Sequence, residues 1–167
     1  MSFSLIPDRL YAAYTDITPQ MLQSWGIKLL LCDLDYTLAP RSVAQPDERV
    51  LAWVQAMKEA GIEVMILSNN RSPERVEIFC SGMGITYVGQ AGKPARRGYR
   101  EAMAKAGVTE RETAMLGDKL LTDVLGAKRS GVLALMVEPL GGPVGAWNHV
   151  LHALQAPFKA MTKENYL

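Results

Sequence analysis

The chain has 167 residues, 49% of them apolar and 21% charged, with a net charge of +1. That length accommodates one domain with a sizeable core. The near-neutral balance offers no bulk attraction for nucleic acid or a membrane, so no nucleic-acid partner is expected. Two cysteines, Cys32 and Cys80, make neither a disulfide framework nor a zinc spacing and read as packed thiols.

The stretch 1–26 reads as a helical segment. It lacks the basic start and long apolar run of a signal peptide, and no run in the chain approaches the ~20 residues needed to span a bilayer. A cytoplasmic location is therefore expected. Thr18 and Pro19 supply an N-cap and a first-turn proline before Met21, Leu22 and Trp25. The run "IKLLLCD" at 27–33 is the first predicted strand. Residues 46–60 place Val50, Leu51, Val54 and Met57 at helical spacing, and Gly61 closes them. "EVMILSN" at 63–69 is the second strand. Ser72-Pro73-Glu74 opens a helix with Val76, Phe79 and Cys80 on one face.

"ITYVGQ" at 85–90 is the third strand. A helix over 94–106 carries Ala95, Tyr99, Ala102 and Ala106, and Gly107 stops it. "TAMLGD" at 113–118 is the fourth strand. Thr122 can cap a short helix to Lys128 or Arg129, ended by Gly131. "VLALMVE" at 132–138 is the fifth strand, and the turn-rich "PLGGPVG" at 139–145 connects it onward. The tail 144–167 reads as helical, with a break at Pro157. Its apolar stripe of Trp147, Val150, Leu151, Leu154 and Phe158 is expected to pack on the sheet, membrane contact being the alternative. His149 and His152 could share a helix face, as surface or packing residues.

Strands alternating with helices predict an α/β fold: a Rossmann-like three-layer sandwich around a mainly parallel five-stranded sheet. A single domain over 1–167 is expected, with its core at 27–138. Such sheets bind ligands beyond the carboxyl ends of their strands. Asp33, Asp35 and Thr37 follow the first strand. Ser68, Asn69 and Asn70 end the second. Lys93 precedes the helix after the third, and Asp118 and Asp123 follow the fourth. Asp33 and Asp35, two residues apart on an extended segment, point the same way and repel unless a cation, a proton or a reaction offsets them. Hard oxygen ligands from Asp33, Asp118 and Asp123 suit Mg²⁺, and the whole set fits metal-assisted phosphoryl transfer. Asp33 would attack phosphorus, Asp35 would act as acid and base, and Ser68 and Lys93 would hold the phosphoryl oxygens.

The order of "DLDYTL", Ser68, Lys93 before a helix, and "GDKLLTD" resembles the haloacid dehalogenase superfamily of aspartate-nucleophile phosphatases, over about residues 27–138. The longer matches "DITPQMLQSWGIKLLLCDLDYTL", "SNN", "GKP" and "GDKLLTDVLGAKRSG" resemble its YqeG group of small bacterial phosphatases, in subfamily IIIA. That group is itself similar to mitochondrial phosphatidylglycerophosphate phosphatases. The resemblance implies Asp33 as nucleophile and metal ligand, and Asp35 as acid/base with its carbonyl on Mg²⁺. It implies Thr37, Ser68 and Asn69 near the phosphate or its loops, Lys93 on the phosphoryl group, and Asp118 and Asp123 on Mg²⁺. Tyr36 departs from the pattern, where asparagine or glycine is commoner.

Only 34 residues separate Asp33 from Ser68, and 24 separate Ser68 from Lys93, so neither gap holds a cap domain. The crevice is expected to be open, for a bulky or surface-borne phosphomonoester. Arg41, Arg71, Arg96, Arg97 and Arg100 could attract an anionic phospholipid such as phosphatidylglycerophosphate, with the protein peripheral to the inner face of a membrane; a solvated helix face is the plainer reading. The alternatives are a general or phosphoprotein phosphatase, and a receiver-like module that stores a phosphoryl group for signalling.

Overall fold

The run Leu29–Cys32 has no polar side chain, and all four residues are buried. A strand covered on both faces must sit inside a sheet with helices above and below. The computed structural model, which describes residues 4–142 and 145–167, shows this arrangement. In chain order the elements are β1 (Arg9–Tyr11), α1 (Pro19–Ser24), β2 (Leu29–Cys32), α2 (Glu48–Glu59) and β3 (Glu63–Leu67). There follow α3 (Pro73–Met83), β4 (Thr86–Val88), α4 (Arg96–Ala106) and β5 (Thr113–Gly117). The chain ends with α5 (Leu125–Ser130), β6 (Leu133–Val137), α6 (Ala146–Ala160) and β7 (Glu164–Tyr166).

The seven strands form one sheet in the order β4-β3-β2-β5-β6-β1-β7, with every pairing parallel. Alternation along the strands divides the core. Leu30, Cys32, Ile66 and Leu116 pack with Val54, Met57 and Phe79 of α2 and α3 on one face. Leu29, Leu31, Leu67 and Met115 pack with Tyr99 and Ala102 of α4 and Ala127 of α5 on the other. Each of the leucine, isoleucine, valine, methionine and phenylalanine side chains among them contributes roughly 1.5–3 kcal/mol by leaving water. Thr18 accepts the Met21 amide and Ser72 the Arg75 amide, as their helix-start signals predict. Leu51, placed with the inward face of α2 by spacing, is exposed, and Trp53 is buried instead. Trp53 Nε1 donates to the Ile17 carbonyl at 2.9 Å, fastening the N-terminal segment to α2.

Several expectations are corrected. The sheet has seven strands rather than five. The segment 1–26, expected to be helical, contributes β1, and the tail contributes β7. Both strands are three residues long. They hold through neighbours rather than pattern: Asp8 accepts the Ala134 amide beside β6, and Tyr11 and Tyr166 stack at 5.0 Å across β1 and β7. Helix α6 runs through Pro157 to Ala160 instead of breaking. Buried Lys159 pairs with Glu138 at 2.7 Å just beyond the proline, so tertiary contacts fix the last turn. Thr122 caps nothing; it lies inside a π-helical turn at Leu120–Val124 that leads into α5. Of the tail stripe, Phe158 packs against the core as expected and half-buried Leu151 lines a groove, whereas Trp147, Val150 and Leu154 are exposed. Pro143 and Val144 of the connecting loop lie outside the described residues. No helix among the described residues is long and apolar enough to cross a membrane.

Candidate active site

Strands β2 and β5 are neighbours, with Cys32 opposite Leu116. The residues that follow them therefore leave the sheet side by side. Asp33 continues the ladder by donating its amide to Leu116 O at 2.9 Å. Asp118 follows Gly117, and the π-helical turn after it swings Asp123 back over the strand end. Gly117 makes this possible: a Cβ there would lie 2.2 Å from Asp123 Oδ2. Ligand oxygens of Asp33, Asp118 and Asp123 all lie within 4.8 Å of one another, and all three residues are buried.

Lys93 enters this cluster from the loop before α4. Its Nζ donates to Asp33 Oδ1 at 2.9 Å and Asp123 Oδ1 at 2.7 Å. Burial alone would lower the Lys93 pKa, but Asp123 and Asp33 outweigh it and raise the value. Burial raises the carboxyls of Asp118, to about 7, and of Asp123; Asp33 adds to both, while Lys119 opposes the rise at Asp118 and Lys93 that at Asp123. The donor set is all hard oxygen, crowded and under-neutralised, and it fits a divalent cation such as Mg²⁺.

The other expected residues divide. Ser68 is buried on the pocket wall, and its Oγ accepts the Asn70 amide at 3.0 Å. Thr37 donates to Asp118 Oδ1 at 3.4 Å, which makes it a neighbour of the acidic cluster. Asn69, expected among the phosphate contacts, binds the Lys93 main chain at both ends of its amide. Nδ2 donates to Lys93 O and Oδ1 accepts Lys93 N, each at 2.8 Å. It therefore fixes the lysine loop. Asp35 lines the pocket with Asp33, Ser68 and Lys93, but its carboxylate lies outside the acidic cluster and is held by Arg75 and Asn70. Of the five arginines expected near the mouth, Arg41 lines the pocket, 4.0 Å from Asp35 Oδ2. Arg97 instead donates to the Gln90 carbonyl, away from the site.

Two features escape the sequence reading. Lys119 lies 2.9 Å from Asp118 Oδ1 and 3.9 Å from Asp33 Oδ2, a second cation serving the cluster. It stands inside "GDKLLTD" but beside the residues that motif logic weighs. The second feature is α6. Pro139 and Gly142, with Asn148, Leu151, His152 and Gln155 of that helix, wall a groove that shares Tyr36 and Lys119 with the pocket lined by Asp33, Ser68 and Lys93. One side of the crevice is thus covered without an inserted domain. His152, expected as a surface or packing residue, pairs with Glu138 at 3.1 Å at the base of this wall. The unusual Tyr36 also finds a physical account. Its φ is 66°, in the left-handed region that asparagine and glycine tolerate best. Its ring lies 5.7 Å from Lys119 Nζ.

Residues 15–131 match the family described as haloacid dehalogenase-like hydrolase. The chain belongs to that family. It is 34% identical over 140 residues to a Bacillus subtilis (strain 168) protein called "Probable phosphatase YqeG", spanning 84% of this chain and 81% of that one. Among solved structures, a 3-deoxy-D-manno-octulosonate 8-phosphate phosphatase from Yersinia pestis aligns at a TM-score of 0.57 and 17% identity, over 86% of this chain and 74% of the other. The same-named enzyme of Moraxella catarrhalis, in complex with magnesium ion, phosphate ion and KDO, aligns at 0.50 and 17%, over 84% and 92%. These two likenesses establish the shared fold. The chain is thus a haloacid dehalogenase-type enzyme with a phosphatase among its relatives.

Proposed function

We propose that the protein is a Mg²⁺-dependent phosphomonoester hydrolase working through an aspartyl-phosphate on Asp33. The observation that carries this reading is the convergence of Asp33, Asp118 and Asp123 within 4.8 Å at the ends of two adjacent strands, with Lys93 bridging Asp33 and Asp123.

Asp33, Asp118 and Asp123, with the main-chain carbonyl of Asp35, would hold the cation. When bound it neutralises the carboxylates and polarises the phosphoryl oxygens. The remaining work falls to the chain. Lys93 orients the Asp33 carboxylate and offsets its charge against the incoming phosphate. An Asp33 oxygen forms the new bond to phosphorus as the bond to the leaving oxygen breaks. Asp35 gives that oxygen a proton, then removes one from the water that cleaves the acyl phosphate. Ser68, which follows the neighbouring strand β3, offers its hydroxyl to a phosphoryl oxygen. Two basic groups, Lys93 and Lys119, keep the charge balanced while negative charge moves onto the phosphoryl oxygens.

For the substrate we favour a phosphomonoester on a bulky or surface-borne carrier, such as phosphatidylglycerophosphate. No insertion caps the site, and α6 presents exposed Trp147, Val150 and Leu154 beside the groove. A soluble phosphomonoester or a phosphoprotein is the alternative carrier. A receiver-like role is disfavoured because Asp33 and Asp35 have the spacing of nucleophile and acid/base, and β4 is followed by Gly89 and Gln90 where a receiver needs a phospho-accepting aspartate. The deciding assay is hydrolysis of a panel of phosphomonoesters, including phosphatidylglycerophosphate, phosphopeptides and nucleotides, with and without Mg²⁺. Sustained turnover that Asp33→Asn abolishes is expected. Turnover that survives Asp33→Asn, or a single equivalent of stable acyl phosphate, would overturn the reading.

A further inference from the structure

Arg75 is the third residue of α3, in the first helical turn, where a cation opposes the helix dipole. A basic side chain placed there needs a compensating partner, and its guanidinium shows what that partner is. Arg75 Nε and Nη2 each lie 2.9 Å from Asp35 Oδ1. Nη1 donates to the Val43 carbonyl, and Nη2 to the Pro40 carbonyl at 3.2 Å. The second carboxylate oxygen, Oδ2, accepts Asn70 Nδ2 at 2.7 Å, and Asn70 is itself fixed by accepting the Ser72 amide at 2.8 Å. Arg75 and Asp35 side chains are 13% and 16% exposed, so water competes weakly for these bonds. Both carboxylate oxygens are therefore held by groups at or just before the start of α3.

We propose that Arg75 is the positioning residue for Asp35. Its fork fixes the carboxyl orientation on the pocket wall and ties it to the loop at 40–43. The inference rests on the reading of Asp35 as the acid/base. In the first half-reaction the Asp35 proton moves to the leaving oxygen as the phosphorus–oxygen bond breaks and the Asp33–phosphorus bond forms. Asp35 is left as a carboxylate, and the guanidinium already in place pairs with it. A lysine at 75 would keep the charge but not the planar, multi-donor geometry.

The test separates proton delivery from general damage by leaving group. kcat/KM is measured with phenyl phosphate, whose poor leaving group needs a proton, and with 2,4-dinitrophenyl phosphate, whose leaving group does not. Arg75→Ala is expected to lose about 30-fold or more on phenyl phosphate and less than about 3-fold on the dinitrophenyl ester, a fraction of what a general acid contributes. Arg75→Lys should lie between wild type and Arg75→Ala. An equal fall on both esters, or no fall on either, overturns the proposal. If circular dichroism shows that Arg75→Ala does not fold, Arg75→Gln carries the same comparison. Asp35→Asn is the reference. If it shows the leaving-group split and the Arg75 variants do not, this inference fails while the catalytic reading stands. If Asp35→Asn shows no split, the acid/base assignment fails first.

Discussion

The two walls of the crevice are built differently. On one side, Asp33, Lys93, Asp118 and Asp123 are 7%, 5%, 6% and 1% exposed, and each leaves a central sheet strand or a loop pinned to one. On the other, α6 is held at its far end by buried Lys159 on Glu138, while its outer face stays in solvent. The first wall is rigid because hydrogen-bonded neighbours on both sides fix its strand ends. The second wall is an added helix whose position depends on a small polar cluster. On the proposed function, chemistry would fall to the fixed wall and substrate shape would be read by the added one.

The largest test of this contrast is removal of the buried lysine that holds each wall. Lys93→Met leaves Asp33 and Asp123 buried and facing each other, with the more distant Lys119 to offset them. We expect turnover to fall by about 10²–10³ or more and stability by about 3–5 kcal/mol, read by initial rates and urea unfolding. Lys159→Met should cost only about 1–2 kcal/mol and should raise KM more than it lowers kcat, because Glu138 keeps His152 and some hydration. If the two substitutions cost the same, the two walls do not differ in the way argued.

Acid and base should act on the walls with opposite signs. Burial, with Asp33 and Asp123 nearby, lifts Asp118 to about 7, from an unfolded value of about 3.9. Between those values the folded protein binds more protons than the unfolded chain, so metal-free stability should fall as pH rises through that window. A divalent cation binds the ionised cluster and should restore stability above pH 7. Glu138 goes the other way. Burial would raise it, but Lys159 and His152 outweigh burial and lower its pKa. Its contribution is present above its unfolded pKa and is lost as pH falls through the lower folded value. Urea unfolding from pH 3 to 8, with and without Mg²⁺, checks both signs. Metal-free stability that climbs between pH 4 and 7 would contradict the account of the cluster.

The same contrast explains what could be read from sequence. Continuous apolar strands such as Leu29–Cys32 announce themselves, and the charged residues just past them are the ones a parallel sheet gathers. The convergence of Asp33 and Asp118 follows from the pairing of β2 with β5, whereas Lys93 follows the edge strand β4 and reaches them through the loop that Asn69 holds. What stayed hidden depends on distant partners. Strands β1 and β7 are too short and polar to show alternation. The run across Pro157 depends on Glu138, 21 residues before Lys159. Arg75 gave one signal, a cation in a first helical turn, but its partner Asp35 is 40 residues earlier. The side-chain amide of Asn69 is engaged by the Lys93 main chain, a bond that no spacing rule encodes.

The smallest effect on stability, and the sharpest test of the outer wall, concerns Trp147 and Leu154. They are 71% and 62% exposed, so serine at both positions removes little buried area. The double variant Trp147→Ser, Leu154→Ser should shift stability by no more than about 0.5 kcal/mol. If instead these side chains packed on the sheet, as their helical spacing suggests, the loss would be about 3 kcal/mol or more. Thermal unfolding separates the two outcomes directly. A second measurement asks what the exposed face serves. If the carrier is lipid, the variant should lose co-sedimentation with anionic vesicles and lose kcat/KM on vesicle-borne phosphatidylglycerophosphate, while hydrolysis of a soluble aryl phosphate stays unchanged. Equal loss on both substrates would mean that α6 shapes the pocket from its inner face alone. The lipid carrier would then have no support from this helix.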